Sequence, residues 1–449
     1  MVDITEIFTN LDRKFRIGVE PFSIDQKTYS RLVKLGQILL QFYHAVNELY
    51  DLSLRGHYPS WIHEYLDAGK TERVIDYGRM RRFKNDLPFI IRPDVILTDE
   101  GFIISELDSV PGGFGMLAEL SQYYAEAGFN LIGGRDGIIT NFAKAIKQLS
   151  GQADPVLAIV VSAESQDYFG EMKWMADALT AFGLTAYAVA PEEISFAETG
   201  LYLERSNGRQ KIDVIYRFFE LFDLKNIPKM DLLLYAVRKQ TVVITPPLKS
   251  YLEEKLLFAL LHHPVLAEFW TAKLGESGYH TLLEVMPPTW IMDNRPLPPH
   301  AVIPNLQIGR VPVTDWQQLK QATKRQREMV IKISGFSELS WGSQGVCIGH
   351  DVSSKVWSDT IDHALDSFPH NPYILQKFYK GKRVSASYYD LDSKAPKLIE
   401  GRARLCPYYM VHQDHVQLAG VLATICPLDK KLIHGMVDAV MVPTMVKWE

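Results

Sequence analysis

Residues 90–108 of this chain read IIRPDVILTDEGFIISELD, and this stretch decides how the rest of the sequence is interpreted. Two runs rich in branched apolar residues flank the triplet Asp99-Glu-Gly101, a pattern that predicts two β-strands joined by a hairpin turn. A three-residue hairpin loop usually has glycine in the left-handed position, which Gly101 satisfies. With such a loop we expect Thr98 to pair with Phe102, and that register fixes which side chains share a face.

Charged side chains line one face of this predicted hairpin. Asp94 falls opposite Glu106 and Arg92 falls opposite Asp108, and facing residues lie on the same side of a sheet. Two facing carboxylates repel each other unless a positive charge lies between them. Because Mg²⁺ prefers oxygen ligands and bridges to substrate phosphates, we predict a metal site at Asp94, Glu106 and Asp108. The alternative is a solvated polar face on which Arg92 is the local counter-ion.

Composition limits the class of protein. A length of 449 residues favours two or three domains, and a hydrophobic content of 47% allows a sizeable core. A net charge of -5 without a long run of one sign argues against nucleic-acid binding. The three cysteines fit neither a zinc pattern nor a disulfide framework. The N-terminus lacks the apolar core of a signal peptide, and no apolar run has the length of a membrane span, so we expect a cytoplasmic protein.

The pattern of apolar residues divides the chain into four parts. Residues 1–85 read as an N-terminal helical region. Residues 86–150 carry the predicted hairpin at 90–108, called the carboxylate hairpin below, and the glycine-rich loop VPGGFG. Residues 151–245 contain a βαβ unit that begins with the buried strand PVLAIVV. Residues 246–449 alternate helices and strands and include a proline-rich loop at 287–312. The predicted class is therefore α/β, or α+β.

Two lysines occur in apolar surroundings. Lys255 lies in a predicted helix, LKSYLEEKLLFALLHH, on the face that also carries Leu248 and Leu252. Lys332 is in the middle of a strand, MVIKI, that reads as buried on at least one face. A lysine in such a place is expected to point into a cleft, although its stem can also cover apolar surface while the ammonium group reaches water.

A loop rich in glycine and serine follows the strand of Lys332. It contains Gly342, Ser343 and Gly345 and leads into another strand. Backbone N–H groups of such a loop can bind phosphate oxygens together with the lysine ammonium. The loop is neither a Walker A motif nor GxGxxG, and an ordinary flexible hairpin is the alternative.

The last third of the chain adds further candidates on predicted strands. Gln376, Lys377 and Tyr379 end a strand, where Gln376 can hydrogen-bond an adenine or face solvent. Arg402 and Arg404 alternate along another strand and therefore share a face. They are expected either to bind phosphates or a carboxylate, or to be surface charges.

These residues together resemble the circularly permuted ATP-grasp family, in particular the synthetase domain of glutathionylspermidine synthase. That family carries its Mg²⁺ ligands early in the chain as Arg-x-Asp followed by Glu-x-Asn, and Arg92-Pro-Asp94 with Glu106-Leu-Asp108 is similar in spacing. Glu254-Lys255 is similar to the family's Asn-Lys pair, and Lys332 to its second ATP lysine. The resemblance spans roughly residues 50–430.

The resemblance implies a circularly permuted ATP-grasp fold with an N-terminal helical segment and a pre-ATP-grasp-like βαβ subdomain. It implies an ADP-forming carbon–nitrogen ligase that uses ATP and Mg²⁺ to join a small-molecule or peptide carboxylate to an amine through an acyl-phosphate. The implied residues are Asp94, Glu106 and Asp108 for the metal, Arg92, Arg402 and Arg404 for catalysis, and Lys255, Lys332, Gly342, Ser343, Gly345, Gln376, Lys377 and Tyr379 for the nucleotide.

The chain also departs from the family pattern. Asp108 and Glu254 each replace an asparagine, and the loop PGGFG differs from the Thr-Pro-Thr loop that accompanies glutathione binding. Glutathione and spermidine are therefore poor candidates for the substrates. Residues 112–115 and 217–220 are expected to bind the acceptor. Two other functions stay open, namely an ATP-binding protein without ligase activity and a small-molecule phosphotransferase.

Overall fold

The structure is a computed structural model. It describes residues 15–108, 110–206, 208–298, 301–340, 345–430, 432–433 and 438–448. Its described helices are α1 (Gln26–Leu54), α2 (Trp61–Asp67), α3 (Glu72–Gly78), α4 (Phe114–Glu126), α5 (Gly137–Ser150), α6 (Phe169–Ala181), α7 (Met230–Arg238), α8 (Leu257–His262), α9 (Ala267–Val285) and α10 (Ser354–Asp366). Among these described segments, no helix combines the length and the apolar character needed to cross a bilayer.

The described strands are numbered in chain order, from β1 to β21. The first part contains β1 (Arg16–Ile17), β2 (Phe22–Asp25), β3 (Ile90–Thr98), β4 (Gly101–Asp108), β5 (Leu157–Val161), β6 (Ala186–Val189), β7 (Ile194–Ala197), β8 (Gly200–Arg205), β9 (Gly208–Ile212), β10 (Val214–Phe218) and β11 (Val243–Thr245). The second part contains β12 (Thr289–Met292), β13 (Gln307–Ile308), β14 (Val311–Pro312), β15 (Met329–Ile333), β16 (Val346–Ile348), β17 (Tyr373–Lys377), β18 (Arg383–Asp390), β19 (Ala395–His412), β20 (His415–Pro427) and β21 (Val440–Lys447).

The largest sheet contains strands from the early part and the late part of the chain. Its order is β1-β21-β20-β19-β3-β4, with β2 beside β21 and β18 beside β19. Helices α1, α4 and α5 pack against it and form the main hydrophobic core with its apolar face. The carboxylate hairpin β3-β4 is thereby held against the late strand β19, about 300 residues away in sequence.

Two smaller sheets complete the framework. The order β11-β10-β5-β6 is parallel throughout, and β5-α6-β6 forms the predicted βαβ unit. The order β12-β17-β15-β16 is antiparallel and packs one face against α10. The mixture of parallel and antiparallel sheets with helices confirms the predicted α/β or α+β class.

A long helix, α1, lies within residues 1–85, the region that reads as helical, and it follows the short strands β1 and β2. Asp25 precedes the helix, and its Oδ1 accepts a hydrogen bond of 2.6 Å from the backbone N–H of Thr28. The positions that recur at three and four residues are buried, as an amphipathic helix on a sheet requires; they include Leu32, Leu35, Leu39, Val46 and Leu49.

The register of the carboxylate hairpin differs from the prediction at the turn and agrees with it at the charged end. Thr98 pairs with Gly101, so the loop has two residues and not three. A bulge next to Asp94 then inserts one extra residue into β4. The two differences cancel, and Asp94 faces Glu106 as predicted.

The predicted helix around Lys255 is wrong, because the chain there is broken. A 3-10 turn at Ser250–Leu252 is separated from α8 by an irregular segment that contains Lys255. The backbone N–H of Lys255 donates to Ser334 O at 2.9 Å, and the next N–H donates to Ser334 Oγ at 3.0 Å. Long-range bonds to one serine therefore replace the bonds of a helix. The predicted proline-rich loop at 287–312 is likewise interrupted by β12.

Candidate active site

One cleft brings together the predicted site residues. It has a volume of about 1860 Å³ and lies where the hairpin, β19, the antiparallel sheet and the segment before α8 meet. Gly342 and Ser343 lie outside the described residues. The other predicted residues all line the cleft: Arg92, Asp94, Glu106, Asp108, Lys255, Lys332, Gly345, Gln376, Lys377, Tyr379, Arg402 and Arg404.

Asp94 is enclosed by two arginines at the floor of the cleft. Its Oδ2 lies 2.6 Å from Arg404 Nη1, and its Oδ1 lies 3.1 Å from Arg92 Nη2 and 3.5 Å from Cys406 Sγ. Burial raises the pKa of the Asp94 carboxyl, but the positive charges of Arg404 and Arg92 outweigh this effect and hold the pKa below its ordinary value. Asp94 is therefore ionised and fully engaged in this structure.

Arg92 is the centre of a second set of contacts. It forms an ion pair with Asp108 and donates to the carbonyl of Gly112 at 3.1 Å. Tyr408 donates to the same carbonyl at 2.6 Å. The hairpin is thereby fastened to the glycine-rich loop that precedes α4.

Of the three hairpin carboxylates, Glu106 and Asp108 are the more exposed to the cleft. Their side chains are 32% and 27% exposed, whereas the side chain of Asp94 is 2% exposed. Burial raises the pKa of Asp108, although Arg92 opposes the shift. Within the described ranges no group of three or more Asp, Glu, His or Cys side chains is arranged to hold a metal ion. Carboxylate oxygens are the donors that Mg²⁺ prefers, and the metal role of Asp94, Glu106 and Asp108 stays a prediction for all three.

Both predicted lysines point at the carboxylate hairpin. Lys332 is 8% exposed, and its Nζ donates to Ser105 O at 3.0 Å. Burial lowers the pKa of Lys332 to about 8, with Glu106 opposing the shift. Lys255 Nζ lies 3.3 Å from Glu106 Oε2 and donates to Ser340 O at 3.0 Å. Two ammonium groups and the hairpin carboxylates thus meet at one point of the cleft.

The arginines on β19 have different partners. Arg404 binds Asp94, whereas Arg402 Nη1 donates to the backbone carbonyls of Leu428 at 2.9 Å and Lys430 at 3.4 Å. Both face the cleft because they alternate along the strand. Arg404 is therefore the one placed beside the hairpin.

The candidate nucleotide residues of β17 lie at another part of the cleft wall. Gln376 is 3% exposed, and its Nε2 donates to Thr289 Oγ1 at 3.1 Å. Lys377 Nζ lies 5.1 Å above the ring of Tyr379. Gln376 is thus held inside the cleft wall and does not face bulk solvent.

The segments that were predicted to bind the acceptor separate into two kinds. Gly112 and Glu220 line the cleft, and burial followed by the charge of Glu253 raises the pKa of Glu220 to about 8. Arg217, in contrast, is fully buried. It donates to the carbonyls of Pro246, Phe219 and Pro247 at 2.8–3.2 Å and pairs with Glu253, so its contacts are with the protein itself.

Sequence reasoning missed two residues of the cleft wall and one residue that supports it. Cys406 and Tyr408 continue the alternation of Arg402 and Arg404 along β19, so the two-residue period could have identified them. Thr289, which supports Gln376, had no such signal, because it lies within the stretch that read as a proline-rich loop. Its contact with Gln376 depends on strand pairing across 87 residues.

Comparison with known proteins gives a relationship in fold. No family model matches the chain, and no curated protein sequence matches it. A glutathione synthetase-like effector from Globodera pallida, solved in its apo form, is 12% identical and has a TM-score of 0.59. That match covers 96% of this chain and 90% of the effector. A putative gamma-glutamylcysteine synthetase from Methylobacillus flagellatus KT is 14% identical, with a TM-score of 0.44 and coverage of 86% and 87%. The chain therefore shares the mixed α/β fold of the effector.

Proposed function

We propose that the protein is an ATP-dependent, ADP-forming ligase that joins a carboxylate to an amine. The observation that carries the proposal is the convergence of the carboxylate hairpin, two lysines, two arginines and Gln376 on one cleft, although they come from separate segments of the chain. Lysines beside paired carboxylates suit a nucleotide whose phosphates are neutralised by both a metal and ammonium groups. The shared fold with a glutathione synthetase-like effector is consistent with this chemistry.

We also propose that the fold is a circularly permuted ATP-grasp. The carboxylate hairpin precedes both lysines in the chain, as it does in the permuted family that the sequence resembles. The antiparallel sheet supplies Lys332 and Gln376, and the large sheet supplies the hairpin and Arg404. A nucleotide bound between these two sheets would contact every group in that set.

The ion pairs across the cleft suggest how the nucleotide would bind. Lys255 neutralises Glu106, and Arg404 neutralises Asp94. Triphosphate oxygens would form ion pairs with Lys255 and Arg404 in place of the two carboxylates. Mg²⁺ held by Glu106 and Asp108 would then supply the positive charge that neutralises the carboxylates. Asp94 could join the metal site once Arg404 turns toward phosphate.

Transfer of the γ-phosphoryl group to a substrate carboxylate would give an acyl-phosphate and ADP. The amine nitrogen would then attack the acyl carbon, and inorganic phosphate would leave. Lys332 and Arg404 would bind oxygens of the transferring group, and Arg92, which lines the same cleft, would stabilise the transferring phosphoryl group or negative charge on the tetrahedral intermediate. Glu220, with a pKa of about 8, would accept a proton from the amine at mildly alkaline pH, where the carboxyl is ionised.

The acceptor is expected to bind beside the glycine-rich loop. Gly112 lies against the ring of Tyr168, and a side-chain carbon at this position would lie 2.4 Å from Tyr168 Cε1. Phe218 and Glu220 line the same part of the cleft. An aromatic wall with a carboxyl group at its edge would fit a substrate with an apolar portion and an amino group.

The reaction class can be tested without knowing the natural substrates. The protein is incubated with Mg²⁺, ATP, hydroxylamine and a panel of amino acids, short peptides and small carboxylic acids. A ligase of this class releases ADP and forms a hydroxamate with the right acid, because hydroxylamine traps acyl-phosphates. A stable phosphorylated product without hydroxamate would point to the phosphotransferase alternative. Nucleotide binding without turnover across the panel would contradict the ligase and support an ATP-binding protein.

A further inference from the structure

Four residues form a straight row across the antiparallel sheet. Thr289 on β12 pairs with Gln376 on β17, Gln376 pairs with Val330 on β15, and Val330 pairs with Ile348 on β16. Paired residues share a face of the sheet, so all four side chains lie on one side. Gln376, Val330 and Ile348 line the cleft, whereas Thr289 is 2% exposed and lies beside Gln376 on the neighbouring strand.

Hydrogen bonds fix the orientation of the Gln376 side-chain amide. The Thr289 hydroxyl has one proton, and it donates this proton to the backbone carbonyl of Pro287 at 2.8 Å. The hydroxyl oxygen can then only accept, and the group that donates to it is Gln376 Nε2 at 3.1 Å. A reversed amide would either place Oε1 against oxygen lone pairs or take the proton away from Pro287. Either arrangement loses one buried hydrogen bond.

The surroundings of Gln376 suit a flat heterocycle. Pro287, Val330, Ile348 and Phe378 are apolar and line the cleft next to it. Lys332 follows Val330 by two residues, which places the lysine on the same face about 7 Å farther along the strand. An aromatic base packed over Val330 would therefore direct its phosphates toward Lys332 and the carboxylate hairpin.

We infer that Thr289 is a positioning residue that makes the nucleotide site selective for a 6-aminopurine over a 6-oxopurine. The inference rests on the proposed function, because it requires that a purine nucleotide binds in the cleft. Thr289 does not touch the base. It holds Gln376 so that Oε1 is the acceptor offered to the ligand.

The chemistry of the two bases gives the direction of the selectivity. Adenine has a 6-amino group that donates to Oε1, whereas hypoxanthine and guanine have a 6-oxo group that accepts. A free glutamine amide could satisfy either base by turning over. With Thr289 in place, turning over loses a buried hydrogen bond, and a site whose buried polar groups are left unpaired rejects the wrong ligand.

The test uses ATP and inosine triphosphate, which differ in the purine at position 6 and the adjacent N1. Dissociation constants are measured with Mg²⁺ for the wild type and for Thr289→Val, Thr289→Ser and Gln376→Leu. We expect the wild type to prefer ATP by about tenfold, which corresponds to one buried hydrogen bond. Thr289→Val, which keeps the shape without the hydroxyl, should reduce the preference to about threefold or less. Thr289→Ser should restore it, and Gln376→Leu should abolish it.

The outcomes separate this inference from the proposed function. If the wild type prefers ATP and Thr289→Val keeps the same ratio of the two constants, the positioning role is overturned while ATP binding stands. Equal binding of the two nucleotides by the wild type also overturns it. If the wild type binds neither nucleotide, the proposed function fails, and the selectivity fails with it. Should Thr289→Val fold poorly, Thr289→Ala, which also lacks the hydroxyl, is measured in its place and decides between these results in the same way.

Discussion

Lys255 Nζ lies 3.3 Å from Glu106 Oε2, although the two residues are separated by 149 positions in the chain. Lys332 approaches the same hairpin one residue earlier, at Ser105 O. The carboxylate hairpin is therefore bracketed by two ammonium groups. Opposite charges at this distance stabilise each other, and each can instead bind a ligand that carries both phosphate and a divalent cation.

Lys255→Met should separate the neutralisation of Glu106 by Lys255 from the binding of phosphate by Lys255. Loss of the ammonium group removes a charged contact to phosphate, so ATP affinity should fall by about tenfold or more. Mg²⁺ affinity without nucleotide should rise, because Glu106 is no longer neutralised by the lysine. Isothermal titration calorimetry measures both. Lys273→Met removes a lysine from a surface pair with Glu48 and serves as the control. An unchanged ATP affinity in Lys255→Met would show that Lys255 does not contact the nucleotide.

Lys332 should give the protein a pH-dependent stability that Lys332→Met lacks. Its pKa is about 8 in the folded protein and about 10.4 in an unfolded chain. Between these values the unfolded chain binds more protons, so this lysine makes the folding stability of the wild type rise with pH. The free energy of unfolding of the wild type minus that of Lys332→Met should rise by roughly 1 kcal/mol per pH unit between about pH 8 and pH 10.

Urea unfolding at several pH values measures this difference for the ligand-free protein. Lys324→Met, which removes an exposed lysine from the same part of the chain, should leave the profile of the wild type unchanged. A constant difference between wild type and Lys332→Met across this pH range would mean that Lys332 is not desolvated.

The buried ion pair between Lys70 and Glu254 should be important for folding. Their atoms Nζ and Oε1 are 2.5 Å apart, both side chains are at most 2% exposed, and Glu254 also accepts from Ser334 Oγ. Lys70→Met leaves a buried carboxylate without its cation, which should cost about 3–5 kcal/mol of unfolding free energy. The same pair orders the segment before Lys255, so ATP affinity should also fall.

A matched control for this pair lies on α6. Lys173 and Asp177 are 2.7 Å apart but 63% and 67% exposed, and Lys173→Met should change stability by less than about 1 kcal/mol. The double variant Lys70→Met/Glu254→Gln should be more stable than the sum of the single changes predicts, because the two residues are coupled. Additive losses would contradict a direct buried pair.

Arg217 should have a role in stability and not in binding the acceptor. Its guanidinium group donates to three carbonyls and pairs with Glu253, and lysine cannot reproduce this planar set of donors. Arg217→Lys should therefore lower the free energy of unfolding by about 2–4 kcal/mol. Arg209→Lys, at an exposed pair with Glu204, is the control and should have little effect. Normal thermal stability of Arg217→Lys would contradict this assignment.

The carboxylate hairpin shows what local sequence can predict. Alternation along two neighbouring strands placed Asp94 opposite Glu106, and the structure agrees. The turn was predicted one residue too long, and the bulge next to Asp94 was not foreseen. Neither the shorter turn nor the bulge is indicated by the residue composition. The pairing of Asp94 with Glu106 is predicted correctly because these two errors in the register cancel.

The segment around Lys255 shows what depends on distant contacts. Its apolar spacing predicts a helix, but Ser334, which lies 79 residues later, binds its backbone and breaks the helix. The enclosure of Asp94 by Arg404 depends in the same way on the pairing of β3 with β19. Hydrogen bonds and ion pairs between remote segments are decided by tertiary structure and not by local periodicity.

Mg²⁺-dependent binding of ATP by Glu106→Gln tests the central claim most directly. Affinity for ATP is measured by calorimetry with and without Mg²⁺ for the wild type, for Glu106→Gln, and for Glu100→Gln in the exposed turn of the same hairpin. We predict that Mg²⁺ strengthens binding by the wild type and by Glu100→Gln. The gain should shrink by about tenfold or more in Glu106→Gln. An equal gain in all three proteins would contradict a metal-assisted nucleotide site at the carboxylate hairpin.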